Sequence, residues 1–453
     1  MDDEQDLDGT YTHSLTLRGD GAVNCLQFWK NGTMLVSGSD DQLIRSWDLT
    51  TAQCVQRAPV PGGGQVTVLD VVENPPTAVP LIAVLFSGTG YGYVSVIPMT
   101  KAMPEFNFQK AHTIELFHEP VESQAIDSVN SRYAAASHSG TIKVFTIDDY
   151  NSLTPLWQLD IGNLPISTRF YGTKRNLIVH ALYTSEILCF DVSNGQKLGA
   201  ATLRGKIGSA TFSPDEGVMA IHNLTSDEVD VYIPATAHMP KYRLNIEAEE
   251  GVPKKFTFAE EKGRTLICGS DDGVIYVFDV ATGALLHTLE HSQDSSTVHC
   301  VATYSTHQSH FIASGETSVR RACIHIWIKP TDVHRLEIQQ RRRDEAAAEA
   351  LKAKRLEEER LAKQKEAEEA DMKARVAELE QARCIELEKL RAELESSLYS
   401  ADNNYFQVSL ALIVVSAGFD KPQVALCCGI VSPNSSKLVF DHSYTSFTCR
   451  PVS

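Results

Sequence analysis

The chain of 453 residues lacks the signals of several large protein classes. No run reaches the about 18 consecutive apolar residues that a membrane-spanning helix needs. The acidic start at residues 1–6 is unlike a secretory signal, which begins basic and continues apolar. Its ten cysteines include no Cys-x-x-Cys pair, so reduced thiols are expected rather than a disulfide framework or a metal site. These absences predict a cytoplasmic protein without membrane contact.

Motifs that carry catalysis or hold phosphate are also missing. The glycine-rich segment Pro61–Gly64 is not followed by Gly-Lys-Ser/Thr, so it is interpreted as a loop rather than a phosphate cradle. His307 and His310 have no Cys or carboxylate at metal-ligand spacing and are interpreted as surface residues of a loop. No Gly-x-Ser-x-Gly, His-Glu-x-x-His or kinase motif occurs. We therefore expect no catalytic residues, no cofactor and no metal.

Positive charge is scarce outside one region. The net charge is −17, yet residues 335–395 hold 15 basic and 17 acidic residues, so most of the negative charge lies elsewhere. Binding of nucleic acid depends on clustered Lys and Arg. Direct nucleic-acid binding is therefore not expected, and a neutral or basic protein partner suits this surface better.

What the chain does contain is a repeat. Seven short apolar strands each end on an aromatic or aliphatic residue, at steps of 49, 49, 45, 42, 46 and 49 residues. The marker residues are Trp47, Val96, Phe145, Phe190, Tyr232, Phe278 and Trp327. A nearly fixed period of this size indicates stacked or radial supersecondary units.

The clearest unit runs from Ala22 to Gln56. It predicts three strands, Val23–Phe28, Met34–Gly38 and Leu43–Trp47, which are rich in Val, Ile and Leu and are separated by Gly, Asn, Asp and Ser. With Gln53–Val55 added, the unit becomes a four-stranded antiparallel sheet.

Two segments of these units resemble a known family. Ser37–Asp48 and Cys268–Asp279 resemble the third-strand signature of WD40 repeats, and Ser137–Phe145 is a looser match. Across residues 10–330, the resemblance implies an all-β fold, a seven-bladed β-propeller of four-stranded antiparallel blades. A four-stranded blade cannot bury both faces alone, so seven blades of about 46 residues stack around an axis.

The resemblance also implies structural roles for turn residues. In the family, the turn Asp, here Asp41 and Asp272, and the strand-end Trp, here Trp47, join a Ser or Thr and a His in a hydrogen-bond network. That His normally comes from a Gly-His pair, which this chain lacks. Three histidines are candidates to replace it, and spacing alone places none of them: His118, His291 and His299.

In WD40 proteins the partner most often lies on the face formed by the loop before the first strand and the turn between strands two and three. The family's contact positions map here to the start of strand one and to the residue before the turn Asp. The candidate protein-binding residues are Asn24, Asp40, Glu122, His138, Lys254, Asp271 and His299. The seventh unit has a longer turn, which adds Arg320 and Arg321 as candidates.

The ends of the repeat region predict how the ring closes. The last third strand, residues 322–327, is followed by Lys329-Pro330 and then by helical sequence, so the seventh unit has no fourth strand downstream. Tyr11–Leu17 alternates as a strand should. We expect this segment to supply the missing strand and leave no open sheet edge.

The C-terminal part changes in composition. Residues 335–398 consist of strong helix formers without Gly or Pro. Residues 335–375 are interpreted as a solvated single helix, while the leucine-rich spacing over 376–398 favours self-association or a partner helix. The predicted organisation is a disordered N-terminus at 1–9, a propeller at 10–333, a long charged helix or coiled coil at 334–399, and a tail at 400–453 without an assigned structure.

The favoured function is a non-enzymatic scaffold, with a propeller face that binds a protein or peptide and a helix that mediates assembly. A cytoskeletal or centriolar subunit is one alternative, because a propeller followed by a coiled coil recurs there. A ubiquitin-ligase substrate receptor is disfavoured, since its Trp-Asp-x-Arg box reads Trp47–Thr50 here. A hydrolase or lyase in the channel would need clustered carboxylates or a metal. Arg341–Arg343 with Lys352–Arg355 resembles a bipartite nuclear import signal, which keeps a nuclear location open.

Overall fold

The structure, a computed structural model, describes most of residues 9–399. The internal segments outside the described residues are 78–79, 102–104, 150–151, 234–237, 247–251, 292–296 and 318–321. Within the described residues, seven four-stranded antiparallel sheets are followed by one long helix. Residues 1–8 of the predicted disordered segment 1–9, and the predicted tail 400–453, lie outside the described residues.

The strands are numbered along the chain. Strand β1 (Thr12–Arg18) comes before the first blade. Blade one consists of β2 (Val23–Trp29), β3 (Met34–Ser39), β4 (Leu43–Asp48) and β5 (Gln53–Pro59). Blade two consists of β6 (Val66–Glu73), β7 (Leu81–Thr89), β8 (Tyr93–Thr100) and β9 (His112–Glu115). Blade three consists of β10 (Val121–Asp127), β11 (Arg132–Ser137), β12 (Thr141–Asp148) and β13 (Ser152–Asp160).

The remaining blades follow the same order. Blade four consists of β14 (Pro165–Tyr171), β15 (Asn176–Ala181), β16 (Glu186–Phe190) and β17 (Lys197–Thr202). Blade five consists of β18 (Ile207–Phe212), β19 (Met219–Asn223), β20 (Glu228–Tyr232) and β21 (Tyr242–Asn245). Blade six consists of β22 (Phe256–Ala259), β23 (Thr265–Gly269), β24 (Val274–Asp279) and β25 (Leu285–Glu290). Blade seven consists of β26 (Val298–Ser305), β27 (Ser309–Glu316) and β28 (Cys323–Pro330), with β1 as its fourth strand.

The first strands of the blades surround the axis of the ring. They contact one another in a closed circuit, from β2 through β6, β10, β14, β18, β22 and β26 back to β2. The second strand of blade one, β3, is buried along its whole length, whereas the fourth strand of blade four, β17, is exposed along its whole length. The prediction of a seven-bladed propeller is confirmed.

The hydrophobic core lies between neighbouring blades, because each sheet covers the face of the next. All seven marker residues of the repeat lie in third strands and are at most 6% exposed. Between blades two and three, for example, the rings of Phe86 and Tyr133 stack with centroids 5.5 Å apart. The repeat in the sequence is thus the repeat of these packing residues.

Closure of the ring uses the N-terminal strand, as predicted. Strand β1 pairs antiparallel with β28, and Leu17 lies opposite Ile324. Leu17 is 1% exposed and packs in one cluster with Ile324 of blade seven and Val23 of blade one. The two ends of the propeller are therefore joined by main-chain hydrogen bonds and by a shared core.

A buried ion pair lies close to this joint. The Lys329 ammonium contacts the Glu260 carboxylate at 2.7 Å, and both side chains are largely buried. The same ammonium lies 5.5 Å from the centroid of the Tyr11 ring, just before β1. These contacts connect β28 with blade six and with the segment that leads into β1.

The helix α1 (Asp332–Tyr399) begins directly after blade seven. The Thr331 hydroxyl accepts a hydrogen bond from the His334 N–H at 3.2 Å, which satisfies one free donor of the first turn. Asp332 in that turn pairs with Arg264 at 3.0 Å. The compact unit that holds the propeller includes the helix as far as residue 347, and the rest belongs to a second unit. No helix among the described residues is long and apolar enough to cross a membrane.

Candidate protein-binding face

Six of the candidate residues form three pairs, each within one blade. Asn24 donates a hydrogen bond to Asp40 at 2.7 Å. Equivalent pairs join Glu122 with His138 at 2.6 Å and Lys254 with Asp271. In each pair, one residue comes from the start of the first strand and the other from the turn after the second strand. Antiparallel pairing of these two strands puts both positions at the same end of the blade.

The three pairs differ in their access to a partner. In blade three, the His138 side chain is 58% exposed and Glu122 is 24% exposed. Asp40 of blade one is also exposed. In blade six, by contrast, the Lys254 side chain is only 2% exposed. Blades one and three therefore offer polar groups to a partner, whereas the Lys254 pair mainly holds its own blade together.

Residues from blades six, seven and one, including the candidates Asn24 and His299, meet at one end of the channel. The ammonium of Lys255 donates to the Asn24 carbonyl at 3.3 Å, which links blade six with blade one. His299, on the first strand of blade seven, lies between them. Burial lowers the pKa of His299 to about 4, and the charges of Lys255 and Asp40 act on it in opposite directions. The structure thus brings the predicted residues Asn24, Asp40 and His299 near Lys255, which was not among the predicted residues.

The remaining binding candidates, Arg320 and Arg321, lie outside the described residues. The described part of the blade-seven turn includes Glu316, which is 7% exposed and accepts a hydrogen bond from the Cys323 N–H at 3.0 Å. This carboxylate faces the protein interior and is not a surface charge.

The turn residues have local partners. Asp41 accepts a hydrogen bond from the Leu43 N–H at 3.1 Å and forms an ion pair with Arg45. Burial opposes its ionisation, but the bonds from Arg45 and from the backbone hold the pKa of Asp41 below its usual range. In blade six, Asp272 accepts from the Ser270 hydroxyl and from the Val274 N–H.

Tryptophan and histidine meet in blade seven. Trp327 donates its indole N–H to the Ser314 hydroxyl at 3.3 Å, and the same hydroxyl lies 2.7 Å from Nδ1 of His291. Blade one has only the first part of this network, in which Trp47 donates to Ser37 at 2.9 Å. His291 follows β25 directly, in the loop before blade seven. It is the substitute histidine that spacing could not place.

Residues 10–48 match the family model for the WD domain, G-beta repeat. The chain is a seven-bladed propeller with a WD40 repeat. Ribosome biogenesis protein BOP1 of Homo sapiens is 46% identical over 61 residues, which cover 14% of this chain and 8% of that protein. The chain therefore matches only a small part of the length of this relative.

The matched WD40 repeat is offset from the blade as a structural unit. Residues 10–48 take in β1, which completes blade seven, and then the first three strands of blade one. One sequence repeat thus spans two neighbouring blades. This offset is the reason that the matched repeat also supplies the strand that closes the propeller.

The structure tests the interpretations of two histidines, His118 and His310. His118 is exposed and contacts Glu115 at 2.8 Å, so it takes no part in a tryptophan network. The interpretation of His310 as a surface loop residue is wrong. His310 lies in β27, is 2% exposed and contacts the Ser305 hydroxyl at 2.9 Å. His310 pairs with Lys329 of β28, so β27 includes a residue that was predicted to lie in a loop. His307 is exposed in the turn before β27.

The sequence contains one signal for the hydrogen-bond network of His291, Ser314 and Trp327, namely the pair Glu290-His291. A histidine directly after an outer strand occupies the place of the family's Gly-His pair, and the third strand of the next blade contains Trp327. No comparable sequence signal predicts the hydrogen bond from Lys255 to the Asn24 carbonyl, because the two residues are 231 positions apart.

Proposed function

We propose that the WD40 propeller is a non-enzymatic scaffold that binds a protein or peptide on the face carrying the Asn24–Asp40 and Glu122–His138 pairs. The observation that carries this proposal is the repeated pairing at one end of the blades. A side chain already held by a neighbour loses less conformational freedom when a partner binds. A rigid ring that presents fixed polar groups is suited to recognition rather than to bond chemistry.

The charges on this face indicate the chemistry of the partner. Asp40 is exposed and Glu122 is half-buried, both carry carboxylates, and the chain as a whole has a net charge of −17. A partner segment with Lys or Arg side chains would complement them and would associate faster at low ionic strength.

A charge-neutral variant tests this face. In the full-length protein, Asp40→Asn, Glu122→Gln and His138→Gln together should weaken capture of partners by at least about tenfold, since polar contacts at the centre of an interface are costly to lose. Quantitative affinity capture followed by mass spectrometry measures the effect.

The matched control changes charges at the other end of the blades. Lys174, Asp149 and Asp191 lie in turns at the opposite ends of their strands, and Lys174→Gln, Asp149→Asn and Asp191→Asn should leave capture unchanged. If the face variant retains the same partners in the same amounts as the wild type, the face assignment is wrong.

The same proposal assigns assembly to residues 376–398 of α1. Val376, Leu379, Leu387 and Leu390 are each between 49% and 70% exposed. With Arg383 at one position, they follow steps of 3 and 4 residues and form one stripe along the helix. An apolar stripe of this kind is best buried against a second copy of the helix or against a partner helix.

Charges introduced into the stripe should prevent this assembly. Leu379→Lys with Leu390→Lys should convert an oligomer of the full-length protein into a monomer, because charges at a helix interface remain unpaired when buried. Sedimentation equilibrium measures the mass. Leu351→Lys with Leu361→Lys, two equally exposed leucines of the first half, is the control and should keep the oligomer. A wild-type protein that is monomeric at all concentrations contradicts self-association.

A subunit of a cytoskeletal or centriolar assembly remains the second candidate, since a propeller is followed here by a helix of 68 residues. For location, two observations support a nuclear alternative to the cytoplasm. The basic clusters 341–343 and 352–355 lie on the exposed surface of α1, and the matched relative is named for ribosome biogenesis.

A further inference from the structure

A polar cavity of about 480 Å³ opens in the wall of the channel, between the first strands of blades two, three and four. Its lining comes from the second halves of β6, β10 and β14 and from the turn that holds Arg175. The candidate binding face lies at the starts of first strands, and each strand residue advances about 3.3 Å. The cavity is therefore separate from that face, toward the other end of the channel.

Three successive blades place an acid, a small residue and a base at the same level of this wall. Asp70, Ala125 and Arg169 each stand four residues after the first residue of their strand. Each of these strands has a pairing irregularity at its start, so their registers are comparable. Ala125 carries no charge, and its short side chain packs in the core shared by blades three and four, so the acid and the base stand on either side of an apolar position.

The carboxylate of Asp70 has a polar partner but no cation. It accepts a hydrogen bond from the Gln124 amide at 2.8 Å, and the Tyr133 hydroxyl donates to the oxygen of the same amide at 3.0 Å. Burial raises the pKa of Asp70 to about 6, and only the Gln124 bond acts against this. No described Lys or Arg pairs with this carboxylate.

The guanidinium of Arg169 is fixed without a carboxylate. It donates to the carbonyls of Phe212 at 3.1 Å and Ser213 at 3.5 Å, both on the side of blade five. Burial lowers the pKa of Arg169, and the charge of Glu216 acts against this. Glu216 itself is paired with Arg175 at 3.2 Å. The positive charge of Arg169 therefore has no ion pair of its own among the described residues.

A third polar group lines the same cavity. Thr168 is 7% exposed, and its hydroxyl has no hydrogen-bond partner among the described residues. A buried hydroxyl without a partner costs about 1–3 kcal/mol. Thr168 directly precedes Arg169 on β14, so their side chains leave the strand on opposite faces, and Thr168 would bond to a different part of the ligand from the group held by Arg169.

We propose that this cavity binds a small zwitterion of the amino-acid or short-peptide class, with its ammonium group at Asp70, its carboxylate at Arg169 and a hydrogen bond to Thr168. Each of the two protein charges is partly buried without an opposite charge, and a single ligand with both groups compensates both. The volume falls within the range of about 300–1,000 Å³ found for small-molecule sites. This proposal does not depend on the protein-binding face.

Titration of the full-length protein with blocked and unblocked compounds tests the charge requirement. The panel contains the standard amino acids and simple dipeptides, each beside its N-acetyl and its carboxamide derivative. At least one unblocked compound should bind with one-to-one stoichiometry in calorimetry and raise the melting temperature. Both of its derivatives should bind at least about tenfold more weakly, because each lacks one charged group.

Variants then place the ligand in the cavity. Asp70→Asn and Arg169→Gln should each reduce affinity for the same compound by at least about tenfold, whereas Asp149→Asn and Arg204→Gln, which remove the same groups at exposed positions, should not. Because Arg169 also bonds to blade five, Thr168→Val serves as a variant of equal shape and should weaken binding several-fold.

Three results would overturn the proposal. Binding of no compound in the panel is the first. Equal binding of an unblocked compound and either of its derivatives is the second. The third is unchanged affinity in Asp70→Asn and Thr168→Val proteins whose melting shows that they are folded.

Discussion

Removal of residues 1–18 is expected to unfold the propeller or to lower its melting temperature severely. The deletion removes β1, exposes the whole edge of β28 and uncovers the core at the joint of blades seven and one. Leu17 and Tyr11 are 1% and 5% exposed, and burial of such side chains contributes roughly 1.5–3 kcal/mol each. With the lost main-chain pairing, the change approaches the about 5–15 kcal/mol that stabilises a whole domain.

Thermal denaturation followed by circular dichroism measures this effect. A chain that lacks only residues 1–8 keeps all of β1 and should melt like the full-length protein. The longer deletion should also aggregate, because an unpaired strand edge is a template for other chains. Identical melting of the two shortened chains would show that β1 does not hold the ring closed.

The fold could be predicted because one packing requirement recurs in every blade. Each third strand carries a buried apolar residue that fills the space between two sheets, and the spacing of these residues reports the blade length. Trp47, Phe145 and Trp327 are buried in three different clusters of this kind. The degenerate blades were recognisable for the same reason, since they keep the packing residue although they lose the turn Asp.

Side-chain hydrogen bonds within a blade were partly predictable from the sequence, and those between blades were not. Asn24 and Asp40 were each proposed for the face, and their hydrogen bond follows from the register of β2 with β3. The link from Lys255 to Asn24 depends on the closure of the ring, which brings together residues from opposite ends of the propeller sequence.

The channel cavity was also beyond prediction. Its character depends on Ala125, which looks like an ordinary core residue of β10 in the sequence. Only the equivalent levels of β6, β10 and β14 show that Ala125 separates Asp70 from Arg169. The burial of a single residue is similarly hard to predict from local sequence. His310 was predicted to lie on the surface, but it pairs with Lys329 of β28 and is 2% exposed.

Acidification is expected to destabilise the propeller steeply between about pH 6.5 and pH 4. Burial lowers the pKa of His180, His222 and His299 to about 4 and that of His291 to about 3. In the unfolded chain these groups take up protons near pH 6.5. As the pH falls below this value, the unfolded state gains protons that the folded state does not, so stability present above about pH 6.5 is lost down to the folded pKa values.

Two carboxyls act in the opposite direction, since burial raises the pKa of Asp230 as well as that of Asp70. The pKa of Asp70 is raised to about 6, so between about pH 6 and pH 4 the folded state takes up this proton before the unfolded state does, which adds stability as the pH falls. Each fully buried histidine removes about 1.4 kcal/mol per pH unit in the same range. Four histidines therefore outweigh two carboxyls, and the net effect of acid is a loss of stability.

Urea denaturation at several values between about pH 7 and pH 5 measures the slope, which reports the number of protons taken up on unfolding. His222→Gln should flatten the dependence by about one proton, since a neutral amide cannot titrate. His118, whose side chain is 94% exposed, is the control, and His118→Gln should leave the slope as in the wild type. A stability that stays constant over this range would mean that the buried histidines are protonated equally in the folded and unfolded chains.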